Sequence, residues 1–583
     1  QMEGDLVLGV DVGSKSVRAS LVTTKGVILK KSVQPLKVYN TSAYHYEQSS
    51  EEIWEQTCAA VKEVCEKVDA GRVKGIGFDA TCSLVVMSKY FSPVPVSVTG
   101  DSSSNVIMWM DHRANCESDV INETKHSVLN NVGGKMSPEM QLPKLLWLKR
   151  NNPSWHKCEH FMDLADFMTW AATGSLERVG VIMPRVGVFI SRVDEPLACI
   201  MVGNNNPLFF RSQCTLGCKW TYQTEGEKSG WSPDFMKLID LYELSQDNYS
   251  KIGNKVLPPG KAVGRGLTNK AASQMCLKPG TAVAASLIDA HAGAVGVIGC
   301  QVDHVSESFT TRLALICGTS TCHLIVSEEP KYIPGVWGPY HDAMIPGLWL
   351  TEAGQSSTGG LLDHILKSHP EYNNVFCSAT ASEDDIYYRL HELLREAMME
   401  RETKSMAELT RDVHVWPDFH GNRSPLADPH MHGMISGLTL DNSQQSLAVL
   451  YLATIQALAY QTRHIISVLM EHGHVIESVH MCGGLAKVPL FVQEHADILG
   501  VPVVMPDEPE SVLLGSAMLA ACAANLFPDI QSAMKEMGGS GKVIWPSETD
   551  RSYHGKKYSV FMKMMEDQLA YRNMMSSGKK RQH

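Results

Sequence analysis

The chain has 583 residues, a formal net charge of −11 and a hydrophobic content of 44%. This length exceeds what one hydrophobic core usually organises, so we expect two large domains. The acidic balance argues against a nucleic-acid-binding surface. The sequence has neither a charged-then-apolar leader nor a run of about eighteen uncharged apolar residues, which predicts no membrane partner.

The fifteen cysteines lie mostly within apolar strand or helix patterns. This placement is typical of reduced thiols, so we expect a cytoplasmic protein. Cys214 and Cys218 are four residues apart. Because no second cysteine pair or histidine cluster accompanies them along the sequence, a zinc site is not expected there.

The first predicted elements are three consecutive strands within residues 6–33, the first two of which enclose a turn of sequence GSKS. Glycine lets a phosphate approach the backbone, and short hydroxyl groups can bond its oxygens, although an ordinary hairpin could carry the same residues. A carboxylate just before the turn would suit Mg²⁺. A P-loop is excluded, because it needs more residues between its glycines and a glycine before its lysine. The candidate contacts of this first glycine turn are Asp11, Gly13, Ser14 and Ser16.

A helix is expected next, because Ser49 or Ser50 can cap it and apolar residues then recur at helical spacing. Residues 75–81 and 106–111 follow as two predicted strands, whose carboxyl ends carry polar residues. Ligands of α/β sheets collect at such ends.

One face of the predicted strand at 106–111 would carry Trp109, Asp111 and Arg113, because alternate residues of a strand point the same way. The three side chains would then project into one space. The alternative is an edge ion pair between Asp111 and Arg113, which would contribute little energy.

The second half of the chain repeats this pattern. A hairpin within residues 313–326 encloses a second glycine turn, CGTST, and a strand at 478–482 runs into Gly483 and Gly484 before a helix. The remaining predicted elements are helices at 443–472, from 489 and at 511–525, and a strand at 501–505. Two similar turns in two similar halves predict an α/β protein with a central cleft and a duplicated phosphate grip. The boundary is expected within residues 277–288, where a Pro-Gly turn precedes an apolar strand.

Asp289 follows the apolar run TAVAASLI and precedes small residues. A carboxylate at a strand end near the domain boundary could accept a proton from a hydroxyl group that attacks a γ-phosphate. The alternative is that Asp289 only caps the helix that follows it.

The ordered motifs resemble those of the FGGY carbohydrate kinases, members of the actin-like ATPase superfamily. The motifs are GVDVGSKSVR, GFDATCS, WMDHR, LIDAHAG, CGTST, FHGNRSPLADP and MCGGLAKVPLFVQEHADILGVPV. The resemblance covers about residues 6–546 and implies two ribonuclease-H-like domains around a central cleft. It assigns residues 1–285 to the sugar side and 286–550 to the ATP side, and leaves 551–583 as a helix and tail.

The resemblance also implies an ATP- and Mg²⁺-dependent kinase of a small sugar. It makes Asp289 the general base and a candidate metal ligand, and links Asp11 to Mg²⁺ through water. The implied nucleotide contacts of the second half are Gly318, Thr319 and Ser320 for the phosphates and Gly483 and Gly484 for adenosine. The implied sugar contacts are Thr81, Cys82, Ser83, Asp111, Arg113, Lys219, Asp289 and Glu352.

Within the family, GFDATCS, WMDHR and LIDAHAG are most similar to the D-ribulose kinases, which implies that D-ribulose is phosphorylated to D-ribulose 5-phosphate. L-ribulose, ribitol and xylulose are the alternative substrates, and a homodimer is an open alternative to a monomer. A nucleotide-dependent switch or chaperone of the same superfamily fits less well, because it does not need the sugar-side motifs.

Residues 177–210 depart from the family pattern, in which the flanking segments are nearly contiguous. This stretch is apolar, lacks helical or alternating periodicity, and resembles a translated alternative exon. Because it precedes Lys219, an inactive form that still binds nucleotide is the remaining alternative.

Overall fold

The computed structural model describes residues 4–42, 44–98, 104–174, 210–225, 229–378 and 383–576. The predicted insert at 177–210 lies outside these residues, apart from Phe210. Among the described residues, every helix is too short or too polar to cross a bilayer.

The first half forms two main sheets. Its strands are β1 (Leu6–Val12), β2 (Ser16–Thr23), β3 (Ile28–Pro35), β4 (Tyr39–Ser42), β5 (His45–Gln48), β6 (Val73–Ala80), β7 (Leu84–Met87), β8 (Val106–Ile107), β9 (His160–Asp163), β10 (Phe210–Ser212), β11 (Lys255–Leu257), β12 (Ala282–Val283) and β13 (Leu287–Ile288). Its helices are α1 (Ser50–Val64), α2 (Asn115–Glu123), α3 (Gln141–Asn151), α4 (Leu164–Thr173), α5 (Gln213–Lys219), α6 (Pro233–Leu238) and α7 (Asn269–Met275). The first sheet has the order β12-β6-β1-β2-β3, with β13 also paired to β6, and the second has the order β4-β5-β8-β7-β9.

The second half is built on a seven-stranded sheet of order β16-β17-β15-β14-β20-β21-β22. Its strands are β14 (Arg312–Cys317), β15 (Thr321–Ser327), β16 (Trp337–His341), β17 (Trp349–Gln355), β18 (His414–Trp416), β19 (Met434–Ser436), β20 (Ser478–Cys482), β21 (Val503–Pro506) and β22 (Gly541–Ile544). Its helices are α8 (Asp289–Ile298), α9 (Gly359–Ser368), α10 (Tyr372–Ser378), α11 (Glu383–Glu400), α12 (Gln444–Glu471), α13 (Pro489–Leu499), α14 (Ser511–Ala523), α15 (Ile530–Met537) and α16 (Arg551–Ser576).

Both halves share one strand arrangement. In the first half, β3-β2-β1 is antiparallel throughout, and β6 and β12 extend the sheet in parallel with β1. In the second half, β17-β15-β14 is antiparallel and β20 and β21 extend it in parallel. The predicted two-domain α/β fold with repeated halves is confirmed.

Local sequence signals placed most of these elements. The side chain of Ser49 accepts a hydrogen bond from the backbone N–H of Glu52 at the start of α1, and Ser443 caps α12 in the same way. The predicted strand at 106–111 is wrong beyond Ile107. The chain turns there, because the backbone N–H of Asp111 donates to the carbonyl of Met108 at 3.2 Å.

The two halves are joined by a close helix crossing. Although α14 lies late in the sequence, it packs on β1 and β6 of the first sheet and on α8. A methyl group added to Gly77 would overlap the carbonyl oxygen of Ser516, and one added to Gly515 would overlap the carbonyl oxygen of Ala292. Bare glycine backbone on β6 and on α14 therefore sets how closely these elements approach.

The close crossing predicts that alanine at Gly77 destabilises the protein, whereas alanine at a glycine outside the crossing does not. Gly77→Ala should lower the free energy of unfolding by roughly 1–3 kcal/mol, because the added methyl group meets backbone that cannot move aside. Gly555→Ala, in α16, is the matched control, since its methyl group would meet nothing within 4 Å. There, alanine should stabilise the helix by roughly 0.5–1 kcal/mol. Thermal unfolding measures both, and an unchanged Tm for Gly77→Ala would contradict the close crossing.

Candidate active site

Three parallel strands of the first sheet end side by side. Val12 of β1 pairs with Ala80 of β6, and Ala80 pairs with Ile288 of β13. The chain leaves these strands into Gly13, Thr81 and Asp289 respectively. The structure therefore brings the first glycine turn, the Thr81 segment and the candidate base to one edge of the sheet.

The first glycine turn is closed by a hydrogen bond from the backbone N–H of Gly13 to the carbonyl of Ser16 at 3.0 Å. The indole Nε1 of Trp109 donates to Ser14 Oγ at 3.0 Å, which leaves the hydroxyl proton of Ser14 available. Lys144 Nζ in turn donates to the carbonyl of Met108 at 3.0 Å. The loop that carries Trp109 is thereby fixed against the turn.

The second glycine turn and the Gly-Gly segment also meet at one edge. Ile316 of β14 pairs with Cys482 of β20, so the strands end together. Gly483 has a φ of +100°, and a methyl group on it would overlap the carbonyl oxygen of Cys317. The backbone N–H of Thr358, just before α9, donates to the carbonyl of Thr319 at 2.8 Å.

Three of the predicted nucleotide contacts are glycines at positions where the protein itself would accept a larger residue. Gly13, Gly318 and Gly484 all lack the positive φ that glycine alone adopts readily. A methyl group would lie 3.4 Å from the nearest atom at Gly13 and 3.6 Å at Gly318, and would meet nothing within 4 Å at Gly484. A ligand lying against the backbone would account for glycine at these positions.

Asp289 is the first residue of α8 and is partly exposed. The cap position itself is Ile288, so the predicted role of Asp289 as an N-cap is wrong. One oxygen, Oδ1, accepts a hydrogen bond from the backbone N–H of Ala290 at 2.8 Å. Burial, followed by the charge of Asp11, raises the pKa of Asp289 to about 6. It is therefore a stronger base than an ordinary aspartate and is still ionised at neutral pH.

Asp11 lies in a charged network that sequence reasoning missed. Arg18 Nε donates to Asp11 Oδ2 at 2.7 Å, and Arg18 Nη1 donates to Glu510 Oε2 at 2.7 Å. Because Glu510 immediately precedes α14, Arg18 joins the first hairpin to the second half. The available signal was the predicted hairpin, whose register places Arg18 opposite Asp11.

Asp79 completes the network from the neighbouring strand. It is fully buried and accepts a hydrogen bond from Ser516 Oγ. Burial, and then the negative charge of Asp11, raises the pKa of Asp79 well above its usual value. The surroundings therefore favour the protonated, neutral form of Asp79.

Lys219 and Glu352, two predicted sugar contacts, face each other across the halves. Lys219 Nζ lies 3.6 Å from Glu352 Oε1 and 4.3 Å from the ring centre of Trp337. Burial alone would raise the pKa of Glu352, but Lys219 and His291 outweigh it and hold the pKa at about 2. Glu352 is therefore a buried hydrogen-bond acceptor that is ionised at neutral pH, and the charge of its partner Lys219 also acts on Asp289.

One histidine that is distant in the sequence, His291, lies beside Cys214 and Cys218 in the structure. The ring of His291 and the two thiols place their donor atoms within 4.8 Å of one another. Cys214 Sγ, however, lies only 2.9 Å from His291 Nδ1. Sulfur and nitrogen ligands of one tetrahedral zinc ion would be about 3.5 Å apart, given usual bond lengths near 2.3 and 2.0 Å. The distance fits a hydrogen bond rather than a shared ion.

Asp111 and Arg113 form the ion pair that was the alternative expectation, but the pair is fully buried and does not lie at an edge. Arg113 donates to both carboxylate oxygens of Asp111, at 2.8 and 2.9 Å, and to Glu47 Oε1 at 2.9 Å. The guanidinium also lies 4.9 Å from the ring centre of Trp147. The two charged groups are therefore saturated by protein partners.

The Thr81 segment is inward-facing. The hydroxyl groups of Thr81 and Ser83 are buried and 3.1 Å apart, and Ser83 Oγ accepts a hydrogen bond from the backbone N–H of Trp109 at 3.2 Å. The carbonyl of Cys82 accepts a hydrogen bond from Gln141 Nε2 at 3.0 Å. These contacts fix the segment where it leaves β6.

A further contact between the halves was not anticipated. Arg423 Nη2 lies 3.2 Å from both carboxylate oxygens of Glu139, which precedes α3. Arg423 also lies 5.6 Å from the ring centre of Trp337, whose ring contacts Lys219 as well. Arg423 belongs to the FHGNRSPLADP motif, so the motif itself was the available signal.

The raised pKa of Asp79 predicts a pH-dependent effect of Asp79→Asn. Wild-type stability should fall as pH rises from the ~3.9 of an unfolded aspartate toward the raised folded pKa, because only the folded state retains the proton. Asparagine has no titrating proton, yet its amide oxygen can still accept a hydrogen bond from Ser516. The Tm advantage of Asp79→Asn should therefore grow from pH 5 to pH 8. Asp79→Ala, which leaves Ser516 without this acceptor, should lower the Tm at both values. A Tm that changes with pH in the same way for Asp79→Asn and the wild type would contradict the raised pKa.

Comparison with protein-family models matches residues 6–179 to the N-terminal domain and residues 313–524 to the C-terminal domain of the FGGY family of carbohydrate kinases. The human FGGY carbohydrate kinase domain-containing protein is 49% identical over 576 residues, 98% of each chain. A D-ribulokinase from Saccharomyces cerevisiae is 34% identical over 604 residues, 98% of this chain and 79% of that protein.

Solved structures show the same fold at low sequence identity. A gluconate kinase from Lactobacillus acidophilus aligns with a TM-score of 0.74 at 16% identity, covering 98% of this chain and 100% of that chain. A Plasmodium falciparum glycerol kinase with ADP aligns with a TM-score of 0.70 at 15% identity, covering 98% and 99%. Both domains of the family match in the predicted order, and the human relative is 49% identical along 98% of each chain. The chain therefore belongs to the FGGY family of carbohydrate kinases, which transfer phosphate to a sugar hydroxyl group.

Proposed function

We propose that this chain phosphorylates the terminal hydroxyl group of D-ribulose to give D-ribulose 5-phosphate. The observation that carries the transfer chemistry is the partly exposed Asp289, with its raised pKa, at the edge that also holds Asp11 and the first glycine turn. The choice of sugar is supported by the 34% identity to the yeast D-ribulokinase along 98% of this chain.

The residues around Asp11 fit a nucleotide with its metal. The charge of Asp11 raises the pKa of Asp289, so the two carboxylates repel each other, as expected of a site for a divalent cation with hard oxygen ligands. In the proposal, Asp11 holds Mg²⁺ through water and Asp289 is a second candidate ligand. When bound, ATP supplies the phosphoryl group and Mg²⁺ offsets its charge.

The glycine turns are assigned to the nucleotide from their open surfaces. Backbone N–H groups and hydroxyls of the two turns would contact phosphate oxygens, and the Gly483 and Gly484 segment would lie against adenosine. The nucleotide contacts proposed are Gly13, Ser14, Ser16, Gly318, Thr319, Ser320, Gly483 and Gly484.

On the sugar side, Asp289 accepts the proton of the attacking hydroxyl group. Lys219 can donate to a sugar oxygen and the ionised Glu352 can accept from a sugar hydroxyl. The Thr81 segment would contribute hydroxyl groups beside them. Asp111 and Arg113, which are saturated by each other, would shape the wall of the pocket rather than bind the sugar directly.

Replacing the base should slow the reaction without removing the nucleotide site. Asp289→Asn should lower kcat by roughly 10²- to 10⁴-fold, because the hydroxyl proton then has no acceptor. In the wild type, kcat/KM should fall as pH drops through about 6, where Asp289 becomes protonated. Asp303→Asn, at an exposed position, is the matched control. Near-normal turnover of Asp289→Asn would rule out the assigned base.

Side chains at Gly484 should interfere with ATP and not with folding. Gly484→Ala and Gly484→Val should raise the dissociation constant for ATP in that order while the Tm stays constant, because the added atoms meet open space in the protein. Isothermal titration calorimetry with ATP measures the effect. A folded Gly484→Val variant with wild-type ATP affinity would remove this residue from the nucleotide site.

The sugar is tested by kcat/KM for D-ribulose, L-ribulose, D-xylulose, ribitol and glycerol under one set of conditions. D-ribulose should be preferred, because buried polar groups matched to one hydroxyl pattern are left unpaired by another. Preference for D-xylulose, ribitol or glycerol would overturn the choice of D-ribulose but not the kinase chemistry. ATP binding without transfer to any sugar would indicate the inactive form.

A further inference from the structure

We propose that Cys214 and His291 are positioning residues for the sugar-side carboxylate of Glu352. The inference rests on the proposed function, because it assigns a role within that sugar site. Neither residue is proposed to touch the sugar. Their role is to hold one oxygen of Glu352 so that the other stays available beside Lys219.

The three residues form one continuous hydrogen-bonded line across three elements. Cys214 lies in the first turn of α5, His291 in the first turn of α8 and Glu352 in β17. His291 Nδ1 lies 2.9 Å from Cys214 Sγ, and His291 Nε2 lies 3.1 Å from Glu352 Oε2. Cys214 and His291 have no exposed surface and Glu352 is only 4% exposed, so water does not compete for these bonds.

The chemistry of Glu352 determines which ring nitrogen must carry a proton. An ionised carboxylate only accepts hydrogen bonds, so His291 Nε2 is the donor to Oε2. The other carboxylate oxygen, Oε1, faces Lys219 Nζ at 3.6 Å, which is longer than a direct hydrogen bond. A sugar hydroxyl group can therefore use Oε1 without breaking the bond to His291.

The Cys214 sulfur holds the other side of the imidazole ring. In addition to its contact with His291 Nδ1, Sγ accepts a hydrogen bond from the backbone N–H of Ile288 at 3.4 Å. Because Nδ1 is bonded to Cys214 and Nε2 to Glu352, both ring nitrogens have a partner and the orientation of the ring is fixed.

The bond from Ile288 also connects this line to the proposed base. Ile288 is the residue immediately before Asp289, and its backbone is held by the Cys214 sulfur. Ser212 keeps α5 in place, because its Oγ caps the helix at Cys214 and donates to the carbonyl of Ser286 at 2.6 Å. Cys214 thus fixes both the sugar-side carboxylate and the entry into α8.

The test compares steady-state kinetics of four variants with D-ribulose and with ATP. His291→Gln and Cys214→Ala should raise the KM for the sugar roughly 10- to 100-fold, the usual cost of a lost hydrogen bond to a charged group. The KM for ATP should remain at the wild-type value. Cys214→Ser, which retains a polar partner for His291, should lie between Cys214→Ala and the wild type. Cys158→Ser is the matched control, because Cys158 is also buried but bonds only the carbonyl of Ser154.

A second measurement does not depend on turnover. Isothermal titration calorimetry with D-ribulose should show weaker sugar binding in Cys214→Ala and His291→Gln, and wild-type sugar binding in Cys158→Ser. Wild-type sugar affinity in both Cys214→Ala and His291→Gln would overturn the positioning role. One equivalent of zinc in the purified wild type, lost in Cys214→Ser, would also overturn it, because sulfur and imidazole would then be metal ligands.

The two proposals fail in different ways. No phosphorylation of any sugar by the wild type would refute the proposed function, and calorimetric binding of D-ribulose would then test the Cys214 and His291 pair alone. Normal wild-type turnover with an unchanged sugar KM in Cys214→Ala and His291→Gln would refute the positioning role. A lower Tm with unchanged sugar KM would show that the pair only stabilises the fold.

Discussion

The close crossing of α14 over β1, β6 and α8 is the constraint on which the active-site arrangement depends. Gly9 and Gly77 on the strands, and Gly515 on the helix, allow backbone to meet backbone there, because any side chain would overlap a carbonyl oxygen. This contact brings Glu510, at the start of α14, to Arg18 of the first hairpin. These contacts therefore fix the position of the two halves relative to each other, close to the ends of their central strands.

Charge pairing explains how so many ionisable groups are buried at this junction. Arg18 offsets Asp11, Lys219 and His291 offset Glu352, and Asp79 avoids the cost of a second charge by keeping its proton. Asp289 differs because it has no cationic partner in direct contact among the described residues. Asp289 is therefore suited to accept a proton, because its pKa is raised and one of its oxygens has no protein donor in the described part of the chain. The paired groups around it are suited to stay in one charge state.

The sequence predicted most of the fold, since β1, β2, β20 and α12 follow local rules of alternation, helical spacing and capping. It also placed Asp289 and the glycine turns at strand ends. It could not predict contacts made by distant segments, such as His291 with Cys214 or Arg423 with Glu139, because no local pattern encodes them. The strand assigned to 106–111 failed for the same reason: Lys144, from a later helix, binds the carbonyl of Met108 and stabilises a turn there.

The hydrogen bond from the Trp109 indole to Ser14 has a thermodynamic consequence. Trp109 belongs to the loop beside the proposed sugar site and Ser14 to the turn of the proposed nucleotide site, so a displacement of one is transmitted to the other. Coupling of this kind is reciprocal: if the sugar raises the affinity for ATP by some factor, ATP raises the affinity for the sugar by the same factor. Through this hydrogen bond, either ligand could favour binding of the other, whichever binds first.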